Sequence, residues 1–277
     1  MPMDQRRPAE PRAVTSLQNP TVKAVRALEM RKVRRETGQF VAEGASVLVT
    51  ARDAGWTPQT LLYQAGSADG GIYRGLVDWA RRSGAELLEV SKAVLGKIAS
   101  KDNPQTMLAV FPQAWHEPPA KTAIGKGEVW LALEEIRDPG NLGTIIRTVD
   151  AVGAKGIMLI GNCCDPYARE AVRASMGSIF AVPLVRVDWP RFLDWRKSWP
   201  GQVIGTHLEG AVDFRAVAYS EPTLLVMGSE GPGLSPELTE ACDRLVKIPM
   251  AGKLDSLNLA IATALTLYQI RGQHLKL

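Results

Sequence analysis

Val129-Trp-Leu-Ala-Leu-Glu-Glu-Ile-Arg-Asp-Pro-Gly-Asn-Leu-Gly-Thr-Ile-Ile-Arg-Thr148 passes from an apolar run through a turn into a helix, the pattern of a strand–turn–helix unit. Val129 to Leu133 is continuously apolar and of strand length. Asp138-Pro139-Gly140-Asn141 is turn chemistry that opens a helix, with Asn141 placed to cap its exposed amides. Further apolar runs follow at Gly156 to Ile160, Pro183 to Val187, Val203 to Thr206, Thr223 to Met227 and Leu245 to Ile248. Helical segments separate them, and a last helix runs from about Leu257 to Arg271. Short Val/Ile/Leu strands separated by helices predict an α/β domain with a mostly parallel sheet covered on both faces.

Residues 113–126 carry prolines and glycines with no hydrophobic period and read as a linker. Residues 1–112 alternate on a smaller scale. Helices are expected at Thr21 to Glu36, Ser46 to Ala54, Gly75 to Ser83 and Lys92 to Ala99, and strands at Gln39 to Ala42, Thr60 to Tyr63, Ala85 to Val90 and Met107 to Phe111. The expected organisation is a small α/β domain over 1–112, the linker, and a larger α/β domain over 127–277. A chain of 277 residues with 45% apolar and 22% charged residues is long enough for two real cores and excludes general disorder. No stretch reaches the ~18 apolar residues of a membrane helix. The first residues have the form of neither a secretory signal nor a transit peptide. Three cysteines, two of them adjacent (Cys163, Cys164), form neither a disulfide framework nor a zinc spacing, so a reducing cytoplasm is expected. His116 and His207 lack metal-ligand spacing, and no metal is expected.

The charge is concentrated. Residues 1–35 hold nine Lys/Arg against three acids, while 127–277 are slightly acidic. A basic surplus confined to one segment points to RNA or another polyanion, with Lys23, Arg26, Arg31 and Arg34 as the candidate contacts. A solvated amphipathic helix is the competing reading, because Val22, Val25, Leu28 and Val33 fall about one helical turn apart.

Parallel sheets bind ligands at the carboxyl ends of their strands. Three loops lie there. In the first, Arg147 sits under two turns into its helix, where a guanidinium suits a phosphate or carboxylate; a salt bridge to Glu134, Glu135 or Asp150 competes. The second, Met227-Gly-Ser-Glu-Gly-Pro-Gly-Leu-Ser-Pro-Glu237, has its glycines in the order G-x-x-G-x-G, which is not the dinucleotide fingerprint; a P-loop is also missing from the sequence. It offers a backbone-lined cleft with one acid, Glu230. The third, Ile248-Pro-Met-Ala-Gly-Lys-Leu-Asp-Ser-Leu-Asn258, leads into a helix that is apolar on nearly every face, with Ser256 read as its cap. Such a helix needs cover beyond its own sheet, for which a second copy of the chain is the natural candidate. Asn258 at its start must bond a ligand, a substrate or a neighbouring loop, or stay buried and unpaired at a cost of ~1–3 kcal/mol.

Taken together, N-L-G-x-x-x-R-T at 141–148, G-x-E-G-x-G at 228–233 and I-P-M-x-G-x-x-x-S-L-N at 248–258 resemble the three signature motifs of the SpoU (TrmH) family. Its members are S-adenosyl-L-methionine-dependent RNA ribose 2′-O-methyltransferases of the SPOUT superfamily. Ser16 to Arg26 and Phe40-Val-Ala-Glu-Gly44 are similar to that family's N-terminal substrate-binding domain, of the L30e/L7Ae type. The resemblance implies a deep trefoil knot in the C-terminal domain, a homodimer, and bent S-adenosyl-L-methionine as cofactor. It further implies cofactor contacts from Gly228, Ile248 and Leu257, with Met250 and Thr206 nearby, and a catalytic constellation of Asn141, Arg147, Glu230, Ser256 and Asn258. The chain departs from many members in having Leu259 and Ala260 after Ser256-Leu257-Asn258.

The implied reaction needs no metal. A guanidinium with pKa above ~12 is a poor base, so Arg147 is expected to bind phosphate or stabilise developing alkoxide charge. The expected substrate is structured RNA, rRNA before tRNA, because the N-terminal domain resembles ribosomal-protein RNA binders. A non-catalytic RNA-binding or ribosome-assembly protein that keeps the fold is the alternative. Retention of all five constellation residues favours the enzyme.

Overall fold

A computed structural model describes residues 10–99, 105–208 and 212–275. Arg6 and Arg7 of the basic segment lie outside the described residues. Described residues up to Gln113 cluster with Tyr167–Phe180 in one unit, and Ala114–Pro166 with Ala181–Leu277 in a second.

The first unit begins with β1 (Arg12–Val14), α1 (Pro20–Ala27), α2 (Arg31–Thr37), β2 (Gln39–Glu43) and α3 (Ala45–Asp53). It continues with β3 (Thr60–Gln64), α4 (Gly71–Arg82), β4 (Glu86–Val90), α5 (Lys92–Ile98) and β5 (Met107–Pro112). Its sheet is mixed, ordered β1-β4-β3-β5-β2, with β5 antiparallel to both of its neighbours. One face packs Val22 and Val25 of α1, with Leu28 just beyond its end, over Leu62, Leu88 and Val110.

The single helix expected over Thr21 to Glu36 is two helices. Asn19 caps α1 by accepting from the Thr21 and Val22 amides, with Pro20 at the first position. The chain then breaks, because Arg34 turns back and donates to the carbonyl oxygens of Leu28 and Glu29, each at 2.8 Å. Those carbonyls lie past the end of α1, where a helix leaves its last acceptors unsatisfied. Arg34 is only 4% exposed, so it holds the α1–α2 corner and is withdrawn from the candidate RNA contacts. Lys23, Arg26 and Arg31 stay exposed.

The second unit starts with β6 (Val129–Glu134), α6 (Pro139–Ala151) and β7 (Ile157–Ile160). After β7 the chain enters α7 (Arg169–Ala174), which belongs to the first unit. There Tyr167 and Phe180 stack with Phe40, and the Trp56 indole N–H donates to the Phe180 carbonyl at 2.9 Å. Arg169 of α7 meets the carboxylates of Glu29 and Glu43 and the carbonyl of Ile98. The linear division expected at 113–126 has no counterpart for this excursion.

The chain returns to the second unit as β8 (Leu184–Val187), α8 (Trp189–Arg196), β9 (Gln202–Thr206), β10 (Val212–Asp213), β11 (Thr223–Met227), α9 (Pro236–Ala241), β12 (Arg244–Lys247) and α10 (Leu259–Arg271). Every neighbouring pair in its seven-stranded sheet is parallel, in the order β10-β12-β9-β11-β6-β7-β8. All residues of β6, β7 and β11 are buried, as strands covered on both faces must be. The expected linker is partly docked. His116 donates its amide to Leu184, and Trp195 donates to the Pro119 carbonyl at 2.8 Å. The order of strands places the carboxyl ends of β12, β9, β11 and β6 side by side, at the point where the direction of winding reverses.

Candidate active site

The turn after β6 is tight enough to force Glu135 to φ 45°, a conformation that costs a non-glycine residue energy and clusters at functional sites. It ends in an N-cap, but the cap is Asp138, whose carboxylate accepts from the Asn141 amide at 2.6 Å, with Pro139 at the first position. Asn141, expected as the cap, is thereby free to turn its side chain elsewhere.

It turns to the other two loops. Asn141 Nδ2 donates to Glu230 Oε1 at 3.0 Å, and Glu230 Oε2 accepts from the Arg137 amide at 3.1 Å. Asn258 Nδ2 donates to Asn141 Oδ1 at 2.9 Å. Asn258 Oδ1 in turn accepts from the amides of Ala260 and Ile261, so Asn258, and not Ser256, caps α10. Of the three partners open to Asn258 in the sequence, the structure selects a neighbouring loop. Each amide is oriented at both ends, and the carboxylate terminates the chain of donors near the positive end of α6.

Three of the five predicted catalytic residues, Asn141, Glu230 and Asn258, therefore form one hydrogen-bonded chain across all three loops. Arg147 lies on the exposed side of α6 and Ser256 on the exposed approach to α10; neither joins that chain. Glu134, a salt-bridge candidate for Arg147 in the sequence, is instead turned toward Ser235.

The predicted cofactor residues sit on adjacent strand ends. Gly228 follows β11, Thr206 ends β9, and half-buried Ile248 and Met250 follow β12, while Leu257 precedes α10 at the surface. Thr206 Oγ1 approaches Met227 Sδ at 3.4 Å, and the His207 amide donates to Val246. The glycine loop is closed by a reciprocal pair of backbone bonds between Ser229 and Gly233, both 3.1 Å. Gly228 lies directly against the returning chain. A Cβ there would fall 2.0 Å from the Gly233 carbonyl carbon and 2.2 Å from the Leu234 nitrogen. This edge offers backbone polar groups and half-buried apolar side chains, a donor set that fits a nucleoside carrying an aliphatic chain.

Burial pushes the Cys163 thiol up to about 11 and those of Cys164 and Cys242 up to about 12. At neutral pH they are thiols, without the thiolate that nucleophilic chemistry needs. Among the described residues no group of three or more His, Cys, Asp or Glu could hold a metal.

A wholly parallel sheet with three interlocked loops at its switch point, joined to a unit built on a mixed sheet, is the architecture of a SPOUT methyltransferase with an N-terminal substrate-binding domain. The chain belongs to the SpoU rRNA methylase family, whose profile matches residues 128–268; the MRM3-like substrate binding domain matches residues 19–109. Over 96% of this chain and 99% of the other, it is similar to an AdoMet-bound rRNA methyltransferase from Sinorhizobium meliloti, with 43% identity and a TM-score of 0.88. The SpoU methyltransferase AviRb from Streptomyces viridochromogenes, solved with AdoMet, shares 31% identity over 93% and 98% of the two chains, with a TM-score of 0.84. RlmP of Bacillus subtilis, a 23S rRNA (guanosine(2553)-2′-O)-methyltransferase, is 29% identical over 94% of this chain and 99% of its own.

Proposed function

We propose that this protein transfers a methyl group from S-adenosyl-L-methionine to the ribose 2′-hydroxyl of a nucleotide in rRNA. The observation that carries the reading is the chain Asn258–Asn141–Glu230, which fastens the three signature loops to one another at the sheet's ligand edge. The AdoMet-bound relatives support the cofactor, and the named 23S rRNA relatives favour rRNA over tRNA. Gly228, Thr206, Ile248, Met250 and Leu257 hold the cofactor in this reading, largely through backbone groups. S-adenosyl-L-methionine, when bound, supplies an electrophilic methyl on a sulfonium. The chain's own part is to position and to stabilise charge. Glu230 and the two asparagines fix the loops that define the approach of the ribose, so geometry supplies much of the barrier reduction. Arg147 turns its guanidinium donors to the nucleotide's phosphate or its developing alkoxide, with Ser256 beside the entering ribose.

Three finer features belong to the same reading. Residues 1–112 bind RNA and 127–277 carry out methyl transfer, joined through 113–126. The chain forms a homodimer over α10, where Ile261, Leu265 and Tyr268 are 51%, 43% and 50% exposed at positions i, i+4 and i+7. The chain is knotted, a reading supported by β11 lying between β9 and β6 although the chain forms both of those strands first. Three free cysteines fit a reducing cytoplasm.

The test is S-adenosyl-L-methionine binding by calorimetry, followed by tritiated-methyl transfer to total RNA and mapping of ribose methylation in a strain lacking the protein. Binding with no transfer to any RNA would favour the non-catalytic assembly protein. RNA binding has its own test. Reversing Lys23, Arg26 and Arg31 to glutamate, with Arg34 left intact, is expected to weaken RNA affinity and reduce the slope of log affinity against log salt by roughly 0.7–0.9 for each phosphate no longer neutralised. An unchanged slope would assign these charges to solvation. Arg34→Glu should instead lower the melting temperature of the protein.

A further inference from the structure

Glu134 is the last residue of β6, only 4% exposed, and is not used by the constellation above. Its Oε2 accepts the Ser235 amide at 3.0 Å. Ser235 is the N-cap of α9, accepting from the Leu238 amide at 3.3 Å, and it stands directly downstream of the glycine loop. On the upstream side of the same loop, Glu230 accepts the Arg137 amide at 3.1 Å. The two contacts are reciprocal: a carboxylate at the end of β6 holds a backbone amide of the β11–α9 loop, and a carboxylate of the β11–α9 loop holds a backbone amide of the turn that follows β6.

We propose that Glu134 is a positioning residue for methyl transfer, one jaw of this clasp, which holds the glycine loop at the spacing its ligand requires. The inference rests on the reading of that loop as the S-adenosyl-L-methionine wall. Burial raises the Glu134 carboxyl above its usual value, and the Ser235 amide and side chain draw it partly back. A polar carboxyl group so placed is a costly way to fill space, which a Leu or Met would fill without penalty. What the carboxylate provides is an acceptor at a fixed point for the Ser235 amide, which follows directly on the Gly233–Leu234 backbone that lies against Gly228. Glu134 touches neither methyl nor ribose in this arrangement. It acts through the loop.

The experiment compares Glu134→Gln, Glu134→Asp and Glu134→Ala in the full chain. Glutamine keeps an acceptor oxygen at the same reach without the charge, whereas aspartate keeps the charge but withdraws the acceptor by about one carbon–carbon bond, ~1.5 Å. Backbone hydrogen exchange without cofactor should show the Ser235 amide protected in wild type and in Glu134→Gln, and exchanging at least tenfold faster in the other two. With S-adenosyl-L-methionine, Kd and KM should rise about tenfold in Glu134→Asp and Glu134→Ala, with kcat at saturating cofactor within a factor of about three. Glu134→Gln should bind as wild type does. Loss of cofactor binding in Glu134→Gln with wild-type behaviour in Glu134→Asp would overturn the proposal, as would equal exchange in all variants. If Glu134→Ala does not fold, the Gln and Asp pair decides alone. Wild type that takes up no S-adenosyl-L-methionine, with Ser235 exchange still ordered as above, would leave the clasp standing and end the methyltransferase reading instead.

Discussion

Gly228→Ala is expected to cost the protein S-adenosyl-L-methionine binding by at least a hundredfold and to lower its melting temperature by several degrees. The added carbon has nowhere to go. It would lie 2.0 to 2.3 Å from the carbonyl carbon and oxygen of Gly233 and the nitrogen of Leu234, all three of them backbone atoms, and the Gly233 oxygen is itself held by the Ser229 amide. A flexible side chain would swing aside, but here the loop itself must move off the end of β11. Overpacking of this kind typically costs ~1–3 kcal/mol, and the displaced segment is the one that places Glu230 against Asn141. Gly75→Ala, in α4 of the first unit, is the control, since a Cβ there meets nothing within 4 Å and should leave cofactor binding unchanged. Calorimetry and thermal unfolding check both. A Gly228→Ala protein that binds the cofactor normally would mean that the glycine loop is not the cofactor wall.

Arg147 carries the other large effect. Because it is exposed and outside the Asn258–Asn141–Glu230 chain, Arg147→Ala should leave melting temperature and cofactor affinity near wild type. Turnover should fall by about 10²–10³, the usual loss on removing one preorganised donor from a developing oxyanion. Arg147→Lys separates charge from shape. An ammonium keeps the charge but loses the planar two-pronged donor, so a substantial deficit is expected to persist at saturating RNA and cofactor. Near-full turnover in Arg147→Lys would eliminate the bidentate role.

The two asparagines show where sequence reading reaches and where it stops. Three loops at the carboxyl edge were legible because a parallel sheet leaves few other places for a ligand, and Asn258 was identifiable as an amide that must be satisfied. Which residue caps which helix was not. Asp138 and Asn141 are both good caps three positions apart, as are Ser256 and Asn258 two apart, and propensity alone ranks them nearly equal. The choice is made by tertiary partners: Asn141 is drawn off to Glu230, and Asn258 is held by Asn141 while it caps α10. The break between α1 and α2 is also marked by a tertiary partner, since the amphipathic period continues through it while Arg34 reaches back to the carbonyls of Leu28 and Glu29 at the corner. Strand order was invisible, because apolar runs specify burial but not neighbours. Likewise, the Ala171 and Val172 pattern of α7 announces a buried face without saying which sheet receives it.

The placement of Tyr167–Phe180 constrains how such a protein can be rebuilt. The backbone passes from one unit to the other three times, after Gln113, Pro166 and Phe180. A cut in the linker would strip Tyr167, Phe180 and Arg169 from the aromatic and ionic partners they have in Phe40, Trp56 and Glu43. A hybrid that borrows the N-terminal half of a relative must therefore import the matching fourteen-residue segment as well.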